Sequence, residues 1–483
     1  MPPQCGGTAH TTQTRKERAN AMPTEILDEL NTALLDGILR RWYPLVVDRE
    51  CGGYFTNVTC DWTLPPAQEK MIVTQARHVW TASKVAEFTG EPGLYLPIAQ
   101  HGYEFLRDVM WDAEYGGFYQ TRGRCGGMSE CKGWRDEKRA YGNAFALYGL
   151  AALYGQTKDP GVLEMAIRAF HWIEEHAYDP RYGGYFEFLT REGEPFDRSS
   201  PYRTIADDAN ELGFKDQNSS IHLLEAYTEL YRVWADPLLG RRLAELLDLI
   251  RDTMVHERGY LQLFFQPDWT PVSFKDAPEE VRRANYGLDH VSFGHDYETA
   301  FLMLEASHAL GLENDMKTLS VARKMLDHAL ANGWERGVGG FFDGGYYFDG
   351  NGRCTIIYET KNWWAQAEAL NALLLFSRIY PESAYRSYFL KQWEYVKKFI
   401  IDHERGDWFE GGLDREPQFR TGPRSHIWKC TYHTSRALMN CIALLSYARP
   451  PGSGDGIDSA RKEITEFVGH WNGTAMQAVG VHG

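Results

Sequence analysis

Six times along this 483-residue chain a helix-patterned stretch ends in a glycine-aromatic turn. The copies are Cys51-Gly52-Gly53-Tyr54-Phe55, Tyr115-Gly116-Gly117-Phe118-Tyr119, Tyr182-Gly183-Gly184-Tyr185-Phe186, a degenerate Arg258-Gly259-Tyr260, Val338-Gly339-Gly340-Phe341-Phe342 and Phe409-Glu410-Gly411-Gly412. With Gly53, Gly117, Gly184, Gly259, Gly340 and Gly412 as markers, successive turns lie 64 to 81 residues apart. A near-constant step marks a repeat architecture. Each step holds two helices of ordinary length, so the chain predicts an all-α toroid of six helical hairpins around one central pocket.

Apolar spacing and helix breakers place helices at 25–43, 68–88, 93–111, 138–155, 161–177, 217–234, 238–255, 292–311, 315–332, 361–379, 383–402 and 432–448. Pro160, Pro237 and Pro381 fall between segments, where a helix does not run through. Strand pattern is confined to pieces beside the turns, such as 185–188 and 261–265, which predict short β-hairpins on one rim. Three connections are long, 187–216, 256–291 and 335–360, and long loops in compact domains are usually functional. They are expected to wall the pocket mouth. Residues 1–21 read as a disordered leader, 22–449 as the catalytic domain and 450–483 as a flexible tail.

Lys and Arg number 51 against 66 Asp and Glu, a net charge of −15 without a long basic run. Nucleic acid and anionic membrane surfaces are therefore not expected partners. No stretch approaches the ~20 apolar residues of a membrane span. The polar N-terminus lacks the apolar core of a secretory signal. Eight cysteines without framework spacing read as reduced thiols of a cytoplasmic protein; the nearest pair, Cys125 and Cys131, fits neither a zinc knuckle nor a redox motif. Fifteen Trp and 27 Tyr exceed the need of a core this size. Most fill gaps between helices, while some suit a wet pocket that stacks sugar rings.

Polar clusters at helix starts carry the candidate chemistry. Asn218 and His222 share one helix face, as do His295 and Glu298, a spacing that would let the carboxylate orient the imidazole or bind a hydroxyl. Trp364 and Glu368 lie one turn apart, and Trp428-Lys429-Cys430-Thr431-Tyr432-His433 opens the last helix. Gln75, Arg77, Tyr141 and Asn143 interrupt otherwise apolar helices. Taken singly, these are caps, ion-pair partners or core residues. Together, His222, His295, His433, Arg77, Glu298 and Glu368 aimed at one axis exceed what packing explains, because unpaired buried polar groups are costly. There is no HExxH or Cys/His cluster for a metal, no Walker loop, no dinucleotide fingerprint and no GxSxG elbow.

In order, Gln75-Ala-Arg77, Asn218-x-x-x-His222-x-x-Glu225-Ala-Tyr, Gly294-His295-Asp296-x-Glu298, Lys361-x-Trp363-Trp364-x-Gln366-Ala-Glu368 and Trp428-Lys429-Cys430-x-Tyr432-His433 resemble the motifs of the N-acylglucosamine 2-epimerase superfamily. The likeness is strongest to its cellobiose and mannose 2-epimerases and spans about 24–449. It implies an (α/α)6 barrel that epimerises a mono- or disaccharide at C2 without a cofactor or metal, as a monomer or homodimer. His295 and His433 match the family's two bases, and Arg77 and His222 match the groups that stabilise charge on O1 and O2. Glu298 and Glu368 match residues that orient the histidines and bind hydroxyls. Tyr141, Asn218, Trp364 and Trp428 match pocket-lining positions. One position departs: cellobiose 2-epimerases typically carry Trp six residues after the His295 position, and here Phe301 stands there. A smaller ring at the pocket floor, without an indole N–H, makes a monosaccharide substrate as plausible as a β-1,4-disaccharide.

Three other readings stay open at the level of sequence. An aldose–ketose isomerase would use almost the same pocket. An inverting glycoside hydrolase would need two carboxylates, for which Asp207, Asp208 and Asp216 are candidates. The third is a sugar-binding protein with an inactive pocket.

Overall fold

A computed structural model of the chain describes residues 24–130, 136–200, 211–312, 315–348 and 352–446. The leader 1–21, the tail 450–483, Asp207 and Asp208 lie outside the described residues.

Twelve long helices are found among the described residues: α1 (Thr24–Thr32, continuing as a π-turn over Ala33–Leu39), α2 (Ile72–Thr89), α3 (Pro92–Phe105), α4 (Ala140–Thr157), α5 (Pro160–His176), α6 (Gln217–Val233), α7 (Pro237–Leu249), α8 (Phe293–Ala309), α9 (Met316–Asn332), α10 (Trp363–Ile379), α11 (Tyr385–Phe399) and α12 (Tyr432–Ser446). Prolines 92, 160 and 237 open α3, α5 and α7, where a missing N–H costs nothing. Asp159, Asp236 and Asp315 cap α5, α7 and α9 by accepting from backbone N–H groups. The even-numbered helices pack side by side, α2 on α4, α6, α8, α10, α12 and back to α2; each odd-numbered helix backs one of them from outside, α1 behind α12. This closed double ring is the (α/α)6 barrel. Inner helices are buried on nearly every face, and small residues bring their backbones close: a Cβ at Gly149 would meet the Ala76 carbonyl oxygen at 2.8 Å.

The glycine turns are held by ion pairs. In the first, Gly52 N–H donates to Asp48 O and Asp48 N–H to Gly53 O, which puts Gly52 and Gly53 at positive φ. Lys70, two residues before α2, reaches back to Asp48 at 2.9 Å and to Gly52 O. The device recurs as Lys138–Asp112 (3.0 Å), Lys215–Asp179 (2.6 Å) and Lys361–Glu335, and every one of these lysines is fully buried. One turn into the next inner helix, an amide grips the strand after the glycines. Gln75 binds both backbone groups of Tyr54, Asn143 those of Phe118 and Gln366 those of Phe341. These polar residues are therefore structural. In the fourth repeat the glycine is single, Val291 stands where lysine stands elsewhere, and Asp296 accepts from Leu261 N at 2.8 Å.

Short antiparallel strands join the rim at the entry to the inner helices: β1 (Lys70–Met71) with β2 (Thr121–Arg122), β3 (Lys138–Arg139) with β4 (Phe188–Leu189), β5 (Lys215–Asp216) with β6 (Phe264–Phe265), and β7 (Val291–Ser292) with β8 (Gly344–Tyr346) and β9 (Thr355–Tyr358). Two expectations need correction. The sixth turn is not Gly411-Gly412 but Gly406-Asp407: Asp402 closes it as Asp48 closes the first, Gly406 and Asp407 take positive φ, and Lys429 pairs with Asp407 at 2.9 Å. The cysteines are not all thiols, for Cys51 and Cys125 form a disulfide while Cys60, Cys354, Cys430 and Cys441 are unpaired. Arg124 brings the two together by binding Asp48 through two hydrogen bonds and Glu50 at 2.8 Å, a contact between repeats that cysteine spacing does not encode. Among the described residues no helix is long and apolar enough to cross a membrane.

Lys215 shows what the rim pairs contribute. It donates to Asp179, to Gly183 O at 2.7 Å and to Pro267 O at 2.9 Å. Lys215→Met keeps the shape and leaves Asp179 buried without its cation, so we expect a loss of about 3 kcal/mol. Thermal melting of K215M and of the double variant K215M/D179N checks this: the double variant should recover part of the lost Tm.

Candidate active site

The rim strands and the first turns of the inner helices enclose a cavity of about 520 Å³. Its lining draws on all three long connections, through Glu187, Glu211 and Asp216, then Leu263, Phe264 and His290, then Asp343 and Tyr358. Tyr141, Asn218, His295, Trp364 and Trp428 are among its lining residues, whereas Arg77, His222, Glu298, Glu368 and His433 are not. Of the proposed hydrolytic carboxylates only Asp216 is described, and both of its oxygens are engaged, by Ser219 N and Ser219 Oγ at 2.7 Å each, capping α6.

Against the cavity lies a buried charge network. Arg77, on α2, donates to Tyr141 OH at 3.0 Å and to Trp428 O at 3.1 Å, and its guanidinium lies over Phe145. His222 Nδ1 donates to Glu225 at 2.8 Å, and the His222 ring lies 5.1 Å from that of Tyr141. His433 Nδ1 meets Glu368 Oε1 at 2.7 Å. That oxygen already accepts from Arg436 at 2.7 Å, so it also accepts the Nδ1–H of His433, which leaves Nε2 as the basic nitrogen. Trp364 contacts both remaining imidazoles, with ring centroids 4.8 Å from His295 and 5.8 Å from His433.

At the centre is Arg436, absent from the sequence-based candidates. From α12 it reaches Glu225 on α6, Glu298 on α8 at 2.6 Å, Glu368 on α10 and the hydroxyl of Tyr432. Its signal was legible: a charged residue in an apolar helix, one turn past His433 on the same face. Glu225, part of a quoted motif, was likewise not singled out. Two assignments are corrected. Glu298 does not orient His295. It accepts from Arg436 and lies 4.0 Å from His433, whereas His295 Nδ1 bonds Ser292 Oγ at 2.7 Å. Phe301 does not floor the cavity; it is buried with its ring 5.3 Å from the Arg436 guanidinium.

Ligand atoms of Glu298, Glu368 and His433 lie within 4.8 Å of one another, a spacing that suits a cation. Arg436 already bonds both carboxylates, so positive charge is supplied there by the chain. Burial opposes ionisation of Glu225, yet Arg436, His222 and Tyr432 hold it down at about 2. Burial, with Glu298 and Glu225 adding, pushes Glu368 above the usual carboxylate range although Arg436 opposes it. Burial pushes His295 down to about 3, helped by His222 and His290, and burial with Arg77 and Arg436 pushes His433 well below 6.5. Both imidazoles are neutral in the empty site.

Residues 53–437 match the model of the N-acylglucosamine 2-epimerase family. The chain belongs to this family. It is 32% identical to the cellobiose 2-epimerase of Bacteroides fragilis over 428 residues, 87% of this chain and 99% of the relative. The solved cellobiose 2-epimerase of Bacillus thermoamylovorans superposes with a TM-score of 0.74 at 26% identity, covering 87% and 99% of the two chains. A D-mannose isomerase shares the fold, with a TM-score of 0.72 at 20% identity over 86% and 97%. The protein is thus an isomerase, a sugar epimerase, and every site residue named above falls within the matched span.

Two outcomes follow from the geometry. Arg436→Met strands three buried carboxylates, so turnover should fall at least about 100-fold and stability by about 3 kcal/mol; initial rates and thermal melting check both. The folded pKa values of His78 (about 3), His290 (about 4) and His295 (about 3) lie below 6.5, so the unfolded chain takes up protons first as pH falls. Their contribution is complete above pH 6.5 and lost between 6.5 and 3. Tm should decline on acidification through that window; a flat profile from pH 6.5 to 4 would contradict the burial of neutral imidazoles.

Proposed function

We propose that this epimerase inverts C2 of a reducing aldose through a cis-enediolate, with His295 and His433 as the two proton-transfer groups. The substrate is D-mannose or D-glucose, or the reducing-end residue of a β-1,4-disaccharide such as cellobiose. The carrying observation is that imidazoles from α8 and α12 both contact the ring of Trp364 on α10, the helix between them, and that Trp364 and His295 line the cavity.

One imidazole Nε2 removes the C2 proton; the C–H electron pair becomes the C1=C2 double bond and charge moves to O1. The other imidazole, neutral in the empty site, takes up a solvent proton as substrate binds and returns it to C2 from the opposite face, so the two end each turnover with their protonation states exchanged. The Glu368 carboxyl group at Nδ1 fixes the orientation of the His433 ring. Tyr141 OH already accepts from Arg77, so its own hydrogen is available to a substrate oxygen. Arg77 and His222 stand beside Tyr141 to stabilise developing negative charge on O1 and O2. Inner-helix first turns lining the cavity add the positive ends of their dipoles to the same effect. Trp364 and Trp428 offer indole faces to the sugar, and Phe264 and Tyr358 offer aromatic surface to a second ring.

The test is incubation with D-mannose, D-glucose and cellobiose in D2O, with chromatography and NMR of the products. The C2 epimer carrying solvent deuterium at C2 is expected; ketose as main product, or release of monosaccharide from cellobiose, would overturn the proposal. His295→Asn and His433→Asn should each lower kcat by about 1,000-fold with melting unchanged, and an active double variant would refute the two-base assignment.

A further inference from the structure

We infer that Ser292 is a positioning residue for His295, setting which of its ring nitrogens is basic; this rests on the two-base reading above. The first observation is contact. Ser292 Oγ and His295 Nδ1 are 2.7 Å apart in a part-buried setting, and both residues line the cavity. The second is that Ser292 departs from the local rule for its position. It is the N-cap of α8, where serine is favoured because its oxygen accepts from the N–H groups of the first turn. It makes no such bond. Asp216, at the same place before α6, caps its helix through Ser219 N. The Ser292 side chain is withheld from the helix terminus and given to the imidazole. A local preference set aside beside a pocket is where function is expected to override stability.

His222, His295 and His433 differ at Nδ1. His222 and His433 face Glu225 and Glu368, and His295 faces a hydroxyl. With Ser292 accepting the Nδ1–H, Nε2 of His295 carries the lone pair that takes the C2 proton, and the hydroxyl goes on accepting while His295 is an imidazolium. The hydroxyl brings no negative charge, so it orients His295 without holding the proton there. His295 then gives it up readily in the reverse direction. Ser292 is held in place by β7–β8 pairing, in which it faces Gly344.

The experiment compares the wild-type protein with Ser292→Ala and Ser292→Thr. Three readings are taken on D-mannose and cellobiose: kcat and KM, uptake of solvent deuterium at C2, and melting temperature. Ser292→Ala should lower kcat and C2 exchange by about 10- to 100-fold with KM within about threefold and melting close to wild type. Ser292→Thr, which keeps the hydroxyl, should restore most of the rate. Wild-type kcat in S292A, a loss confined to KM, or equal losses in S292A and a folded S292T would overturn the inference. Wild-type protein without any C2 exchange would instead overturn the two-base reading itself.

Discussion

Arg436 is the interaction on which both the ring and the site depend. A guanidinium from α12 joins carboxylates on α6, α8 and α10, so one side chain ties four of the six inner helices at the axis. Three acidic groups brought together in a dry interior would repel one another and hold protons. With the guanidinium among them, Glu225 stays ionised at about 2, and the network orients His222 and His433 at their Nδ1 atoms. The fold closes where the chemistry is assembled, and the same charges serve both.

The rim solves a different problem. A glycine turn at positive φ exposes carbonyl oxygens inside the protein, and Lys70, Lys138, Lys215 and Lys361 each satisfy one while neutralising the acid that closes the turn. The fourth repeat breaks this scheme. It carries Val291 in place of the lysine, a single turn glycine, and Ser292 without a capping bond, directly before His295. The repeat is least regular where a proton-transfer group has to be placed, and its long connection also supplies Leu263, Phe264 and His290 to the cavity wall.

Helix positions were legible because apolar spacing reflects burial along one element; all twelve expected segments overlap an observed helix. The pocket walls were legible from loop length. The sixth turn was misread because Gly411-Gly412 follows an aromatic residue as the other pairs precede one, and glycine content alone does not reveal φ. The turn is closed instead by Asp402, with Asp407 in the left-handed conformation that Asp tolerates. Pairing His295 with Glu298 followed the i,i+3 rule, which holds within a helix. Here Glu298 faces the axis toward Arg436 while His295 turns to the strand before its own helix.

Residue identities, their periodic spacing and the order of the motifs determined the class of fold, the family and the set of polar groups that would meet at one axis, because these properties are local to each helix. Which carboxylate serves which histidine, that one arginine balances three acids, that Phe301 backs that arginine, and that Cys51 meets Cys125 were decided only by how the repeats pack. Those contacts join residues far apart in the chain, and their geometry depends on how the helices pack across the ring and on how the turns at its rim meet. No spacing within a single segment records either.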